Sequence, residues 1–327
     1  MRRFCAGPPA ASRLWLCAFL LALAFPAGAA GSFRTGLSGP EFKSEDPSEC
    51  ALWFDRAAYA QTEIVRINYP WRSAVVGQPA DPSDPADPAY RFSPLDAAVR
   101  DASARGFDVL ITTYSAPGFA EAANRPEAAA PGTWKPDPAA YAAFARALAA
   151  RYSGSFGDLP RVRYFQAWNE PNLHTFLNPQ WEGLTPFSPT HYRRMLNAFT
   201  EAVHDVHGDN VVVTGGTAPF GDERGSFRMR PLRFLRELLC LRKVDGRLKG
   251  TSCPEKASFD ILDHHPINTG GGPRQSAVHP DNATTLDFKY VRDTLRAAES
   301  STRSRAATPS GRARSGGNRI RRTRPMA

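Results

Sequence analysis

Residues 164–172 read Tyr-Phe-Gln-Ala-Trp-Asn-Glu-Pro-Asn, a short apolar run ending abruptly in the pair Asn169-Glu170. Pro171 lacks the amide proton that further strand pairing would need. A carboxylate presented at a strand's end is an active-site arrangement, and the flanking aromatic and proline residues make little sense for a carboxylate in a solvated turn. Three other apolar runs carry unusual residues. Ile64-Val65-Arg66-Ile67-Asn68-Tyr69-Pro70-Trp71 holds Arg66 inside an apolar run, where a charge must be paired; pointing outward between strand and helix is the alternative. Thr113-Tyr114-Ser115-Ala116-Pro117-Gly118-Phe119 forms an aromatic, proline-rich lip. Asp263-His264-His265-Pro266-Ile267 puts two histidines side by side, but apart from Asp263 no carboxylate or cysteine falls at ligand spacing, so no metal is expected.

The elements that must hold these residues repeat along the chain: an apolar β-branched run, a loop, Ser or Asp followed by Pro, an Ala-rich amphipathic helix, then a turn. Alternating strand and helix means a parallel α/β fold. Strands are expected at 63–68, 107–113, 163–168, 210–215 and 259–264, with a weaker first one near 33–37. Their spacing of about 40–55 residues suits barrel units with long loops. No glycine-rich nucleotide loop follows the first strand, which argues against a doubly wound sheet. Ser93-Pro94, Asp137-Pro138 and Ser188-Pro189 each offer an N-cap acceptor with proline at the first helical position. Gly106 marks the end of the helix from Pro94. Residues 75–90, with Asp-Pro three times, read as a surface excursion rather than a domain linker, and the body as one domain.

Residues 1–30 hold Arg2, Arg3 and Arg13, an apolar run from Leu14 to Phe25 and a small-residue cleavage site, the pattern of a secretory signal peptide. The run is too short for a membrane span, so the mature chain is expected to be secreted with no span. Cys240 and Cys253 are close enough to staple one loop. Cys50 then lacks an evident partner and is either a buried thiol or half of a pair whose other half is missing. The formal charge of +9 is misleading: setting aside the eight Arg of residues 301–327 and the three of the signal leaves −2 for residues 31–300. A near-neutral body argues against nucleic acid and fits an uncharged substrate. After Ser300 the composition turns Arg-, Ser- and Gly-rich, which cannot build a core; the tail is expected to be disordered and out of frame, with a genuine basic arm as the alternative.

Trp168-Asn169-Glu170-Pro171-Asn172, at the end of the fourth expected strand, resembles the clan A glycoside hydrolases, (β/α)8 enzymes that include families 5 and 39. The resemblance covers most of residues 31–300. It implies an incomplete TIM barrel lacking the seventh and eighth strands, with Glu170 as general acid/base and Asn169 on the sugar hydroxyl beside the reacting carbon. By the same resemblance Arg66 hydrogen-bonds the nucleophile carboxylate, and is left unpaired or salt-bridged elsewhere if that carboxylate is missing. His265-Pro266 matches a His-Pro-Tyr element near the reacting centre, with Ile267 in place of Tyr. Glycoside cleavage needs a carboxylic acid to protonate the leaving oxygen and a second carboxylate across the sugar. Glu170 supplies one half; the nucleophile, a Glu on a seventh strand, is not found, and Glu299 sits at a helix end. Trp168 and Tyr114 are expected to contact substrate, while Trp134 and Trp181 are either subsite walls or ordinary loop packing. The expectation is a secreted retaining glycosidase, impaired or inactive in this chain, acting on a carbohydrate without a cofactor. The alternative is a carbohydrate-binding protein without turnover.

Overall fold

The apolar runs form parallel strands and the Ala-rich stretches form the helices that cover them, in a computed structural model that describes residues 33–268 and 272–306. The expected signal peptide and residues 307–327 of the Arg-rich tail lie outside the described residues. In chain order the elements are β1 (Gly36–Ser38), α1 (Pro47–Tyr59), β2 (Ile64–Asn68), α2 (Ser93–Ala104), β3 (Asp108–Thr113), α3 (Pro138–Arg151) and β4 (Tyr164–Ala167). A two-residue pair, β5 (Trp181–Glu182) and β6 (Thr185–Pro186), precedes α4 (Ser188–Val206) and β7 (Val211–Thr214). Then come α5 (Pro231–Leu238), the hairpin β8 (Leu241–Val244) and β9 (Arg247–Gly250), and α6 (Phe288–Ala306).

The main sheet has the order β1-β2-β3-β4-β7, and every pair is parallel. Successive β/α units therefore lie side by side in one direction, the order of an α/β barrel that stays open among the described residues. The sixth expected strand shrinks to single bridges, Val213 with Ile261 and Thr217 with His264.

Strand alternation decides which side chains face which layer. Val65, Ile67, Ile111, Phe165 and Val212 point to the helices and join Phe54, Val99, Phe144, Leu148 and Phe199 in the main core. Ile64, Leu110, Val213 and Ile261 point the other way and form a small inner layer. One step further along each strand, the inner face turns polar.

Helix starts follow local chemistry. Asp137 caps α3 by accepting from Ala140 N, and Asp46 likewise caps α1 through Ser48 N. The two serines do not cap: α2 and α4 already include Ser93 and Ser188, so each proline sits one position further in. Ser188 Oγ is spent instead on Gln180 Oε1 at 3.0 Å. Gly106 does close α2, at φ +81. The excursion 75–90 is pinned by a Val75–Tyr90 bridge and by Asp81, Asp84 and Asp87, whose side chains take backbone amides two residues on. The β8–β9 hairpin turns at Asp245-Gly246, both with positive φ, the two-residue turn that matches strand twist. Cys240 and Cys253 are disulfide-bonded at its base, and buried Cys50 donates its thiol to Phe42 O at 3.3 Å. Helix α6 runs six residues past Ser300.

Asp96 ties α2 to α3: Arg151 Nε and Nη2 donate to its two oxygens at 2.8 and 2.5 Å, and Tyr152 OH adds a third bond at 2.9 Å. Removing one partner strands the other charge. Asp96→Ala is expected to cost roughly 3 kcal/mol in chemical denaturation; a loss under about 0.5 kcal/mol would place the tie among surface pairs of no consequence.

Candidate active site

Beyond the inner apolar layer, Arg66 (β2), Thr112 (β3) and Gln166 (β4) meet Asp263 across the sheet. Arg66 Nε donates to Thr112 Oγ1 at 2.9 Å and to Gln166 Oε1 at 2.8 Å, while Nη2 donates to Asn169 Oδ1 at 2.8 Å. Gln166 Nε2 donates to Asp263 Oδ2 at 2.6 Å and to Thr214 O at 2.8 Å. Arg66 thus faces the barrel interior, not the helices, and its hydrogen-bond acceptors are all neutral. Burial lowers its pKa, opposed by the charges of Asp263 and Glu170 and by Tyr114 nearby.

The chain leaves β4 through a turn with Trp168 at φ +74 and Glu170 at φ +38, conformations that L side chains adopt only when the surroundings enforce them. Trp168 N donates to Tyr141 OH at 3.1 Å, and Glu170 N to Gly216 O at 3.0 Å. The first positive φ swings the Trp168 indole back into the core. There it is fully buried, edge-on to Tyr141, with Nε1 donating to Phe176 O. The expected sugar contact by Trp168 is therefore corrected: the ring anchors the turn and offers no surface to a ligand.

Glu170 emerges beside His265, its Oε1 2.9 Å from Nδ1, and His265 Nε2 lies 3.4 Å from Asp263 Oδ2. Burial pulls the His265 pKa down, but Asp263 and Glu170 outweigh it and push it up to about 9. The imidazolium therefore carries its proton at neutral pH. Burial pushes Asp263 up, but bonds and charge from His265, Arg66 and Gln166 hold it below the usual carboxylate range. His264 turns away, its Nδ1 2.8 Å from Thr217 Oγ1 and its Nε2 2.9 Å from Ala283 O, so the two histidines do not converge on one ligand.

An open groove of about 440 Å³ runs beside this cluster, lined by Arg66, Asp263 and His265 over Ile64, Leu110 and Val213. Tyr114, half-buried and edge-on to Phe176, stands at the end of β3. Trp134 and Trp181 are half-buried in their loops, each with a cation over its ring, Lys135 and Arg233 respectively. Ile267 is exposed.

Three residues of the site had no assigned role in the sequence. Asp263 was visible only as a neighbour of the histidines, and Gln166 as part of an apolar run. Asn68 shares the inner face with Arg66, two residues on, and its buried Oδ1 has no hydrogen-bond partner among the described residues. A polar residue at every second position near the end of an apolar strand was the available signal.

No protein-family model and no curated protein matches the chain. Solved structures do: a glucosidase from Croceicoccus marinus (21% identity, 71% of this chain, 44% of that one, TM-score 0.44) and the GH39 enzyme from Xanthomonas axonopodis pv. citri (17%, 81%, 48%, 0.48). Thermotoga maritima Cel5A, solved in complex with cellobiose, is matched at 18% identity over 84% of this chain and 76% of that one, with TM-score 0.43. The chain spans about half or less of the length of the glucosidase and of the GH39 enzyme.

Gly216 holds the cluster together by having no side chain: a Cβ there would lie 2.3 Å from His265 Nε2 and 2.5 Å from Asp263 Oδ2. Gly216→Ala is expected to displace His265 and cost about 1–3 kcal/mol. Gly77→Ala, whose Cβ meets nothing within 4 Å, serves as the control. Equal melting temperatures for the two variants would contradict the packing described.

Proposed function

We propose that this chain carries the acid/base half of a glycoside-hydrolysing site on a secreted protein. The substrate is a carbohydrate, Glu170 moves the proton, and the complete form works by retaining double displacement. The observation that carries this reading is the placement of Glu170 at the carboxyl end of β4, on a strained turn, hydrogen-bonded to His265, which itself lines an open groove. A group so placed can protonate a leaving oxygen while the sheet keeps it still. Asn169 is fixed by Arg66 Nη2 on its carbonyl side, which leaves its amide N–H to meet a sugar hydroxyl, and Asn68 brings to the same inner face an acceptor without a partner among the described residues. Tyr114 supplies an aromatic surface at the neighbouring strand end.

Turnover is weak in this reading. A retaining mechanism needs a second carboxylate roughly 5–5.5 Å from the first, free to attack. Asp263 is the other carboxylate of the cluster, and its Oδ2 is already occupied by Gln166 and faced by His265. The same occupancy favours a second reading, sugar binding without turnover.

Titration calorimetry with a panel of neutral oligosaccharides, paired with release of phenol from aryl glycosides, separates these readings. Saturable binding is expected, weakened roughly tenfold by Asn169→Ala, which loses a hydrogen bond worth about 1 kcal/mol or more. Any release should be slow and should fall at least about tenfold in Glu170→Gln, in line with what a general acid contributes. Binding with no release that depends on Glu170 would leave the non-catalytic reading, and no saturable binding to any sugar would overturn both.

A further inference from the structure

The β8–β9 hairpin follows α5 directly. Its turn reaches the segment 276–282 and the start of α6: Gly246 lines one cleft with Ser276, Asp281 and Tyr290. Its residues alternate between two faces. Leu248 and Lys243 turn toward α6 and line a cleft with Tyr290 and Thr294. The other face carries Arg242, Arg247 and Lys249, all exposed. Arg242 stands directly across from Lys249, and Arg247 across from Val244.

Like charges in direct cross-strand register destabilise a ladder. Among the described residues none of these three cations has an ion-pair or hydrogen-bond partner. Most exposed arginines elsewhere do: Arg100 holds Asp158, Arg146 holds Asp205, Arg161 holds Asp209 and Arg228 holds Asp222. The nearest acid along the hairpin, Asp245, sits in the turn with its backbone at φ +49. The charged face is nonetheless held firmly, by the Cys240–Cys253 disulfide and by Thr251 N donating to Cys240 O at 2.7 Å.

We propose that this face is a docking site for an acidic polysaccharide, one bearing carboxylate or sulfate groups along its length. Three cations on one face of a disulfide-braced hairpin, two of them in direct register, match a linear polymer of repeated negative charge. The face has no aromatic side chain on which a base would stack, and its one apolar residue, Val244, is half-buried, so neither a nucleic acid nor a bilayer gains more than charge there. The face shares no residue with the Glu170 cluster or with the groove beside it, and would hold the protein on an anionic glycan while that groove engages its own ligand.

The test compares full-length protein with the triple variant Arg242→Gln, Arg247→Gln, Lys249→Gln and with a charge-matched control, Arg91→Gln, Arg194→Gln, Arg274→Gln, at exposed positions elsewhere. The basic segment 301–327 is common to all three and adds the same baseline. Binding is measured against polygalacturonate, dextran sulfate and neutral dextran, with anionic phosphatidylserine vesicles and single-stranded DNA as competitors. The hairpin variant is expected to lose affinity for the acidic polymers roughly tenfold and to show a shallower salt dependence, with the control within about twofold of the parent. Polygalacturonate against dextran sulfate then tells carboxylate from sulfate. Equal losses in both variants, or DNA or vesicles displaced from the parent but not from the hairpin variant, would overturn the proposal. Should the triple variant fold poorly, Arg247→Gln alone is read against Arg194→Gln by the same criteria. Glu170→Gln is expected to bind the acidic polymers as the parent does, which keeps failure here distinct from failure at the groove.

Discussion

A guanidinium inside a parallel sheet has to be solvated by the protein itself, and Arg66 sets the terms for everything around it. Thr112, Gln166 and Asn169 supply the acceptors, so three strands are tied to one side chain at a single level of the inner face. Gln166 then has its amide N–H groups left for Thr214 O and Asp263, which extends the tie to β7 and the segment after it. Arg66 touches no carboxylate, yet Asp263 and Glu170 sit near enough to offset its charge. The cluster holds two cationic and two anionic side chains joined through neutral amides, an arrangement that lets charge be buried without an isolated ion.

That arrangement also explains the strained turn after β4. Asn169 points inward to Arg66, and Trp168 and Glu170 on either side of it have positive φ. The Trp168 indole in the core and the Glu170 amide on Gly216 O hold the strain from both ends. A sheet edge with a flexible loop would not keep a carboxylate in this position. The backbone strain and the absence of a side chain at Gly216 belong to the same device, one holding Glu170 in place and the other leaving room for His265.

Much of this could be read from residues alone, and the exceptions have physical causes. Asn169-Glu170-Pro171 and Arg66 stand out because a charged or amide group at the end of an apolar strand is rarely there for packing. Trp168 misled because its expected sugar contact came with the resemblance, whereas at φ +74 the ring turns into the core. Asp263 stayed unassigned because its importance lies in Gln166 and His265, which only the fold brings to it. The sixth strand was over-read: Ile261 and His264 satisfy the apolar pattern of a strand but make single bridges. The β8–β9 hairpin was legible from Val244-Asp245-Gly246-Arg247, the strongest short hairpin signal there is, and was lost among the surrounding charges.

Glu170 sits in a chain of contacts with His265 and Asp263 and not as an isolated carboxyl. The direct measurement is an NMR pH titration of the His265 ring nitrogens in the full-length protein, assigned with His265→Gln. An imidazolium held between two carboxylates keeps its proton until about pH 9, and its titration should move toward the ordinary histidine range of about 6.5 when Asp263 is replaced by Asn. A His265 that titrates near 6.5 in the parent protein would contradict the claim and return Glu170 to a site without a cationic partner.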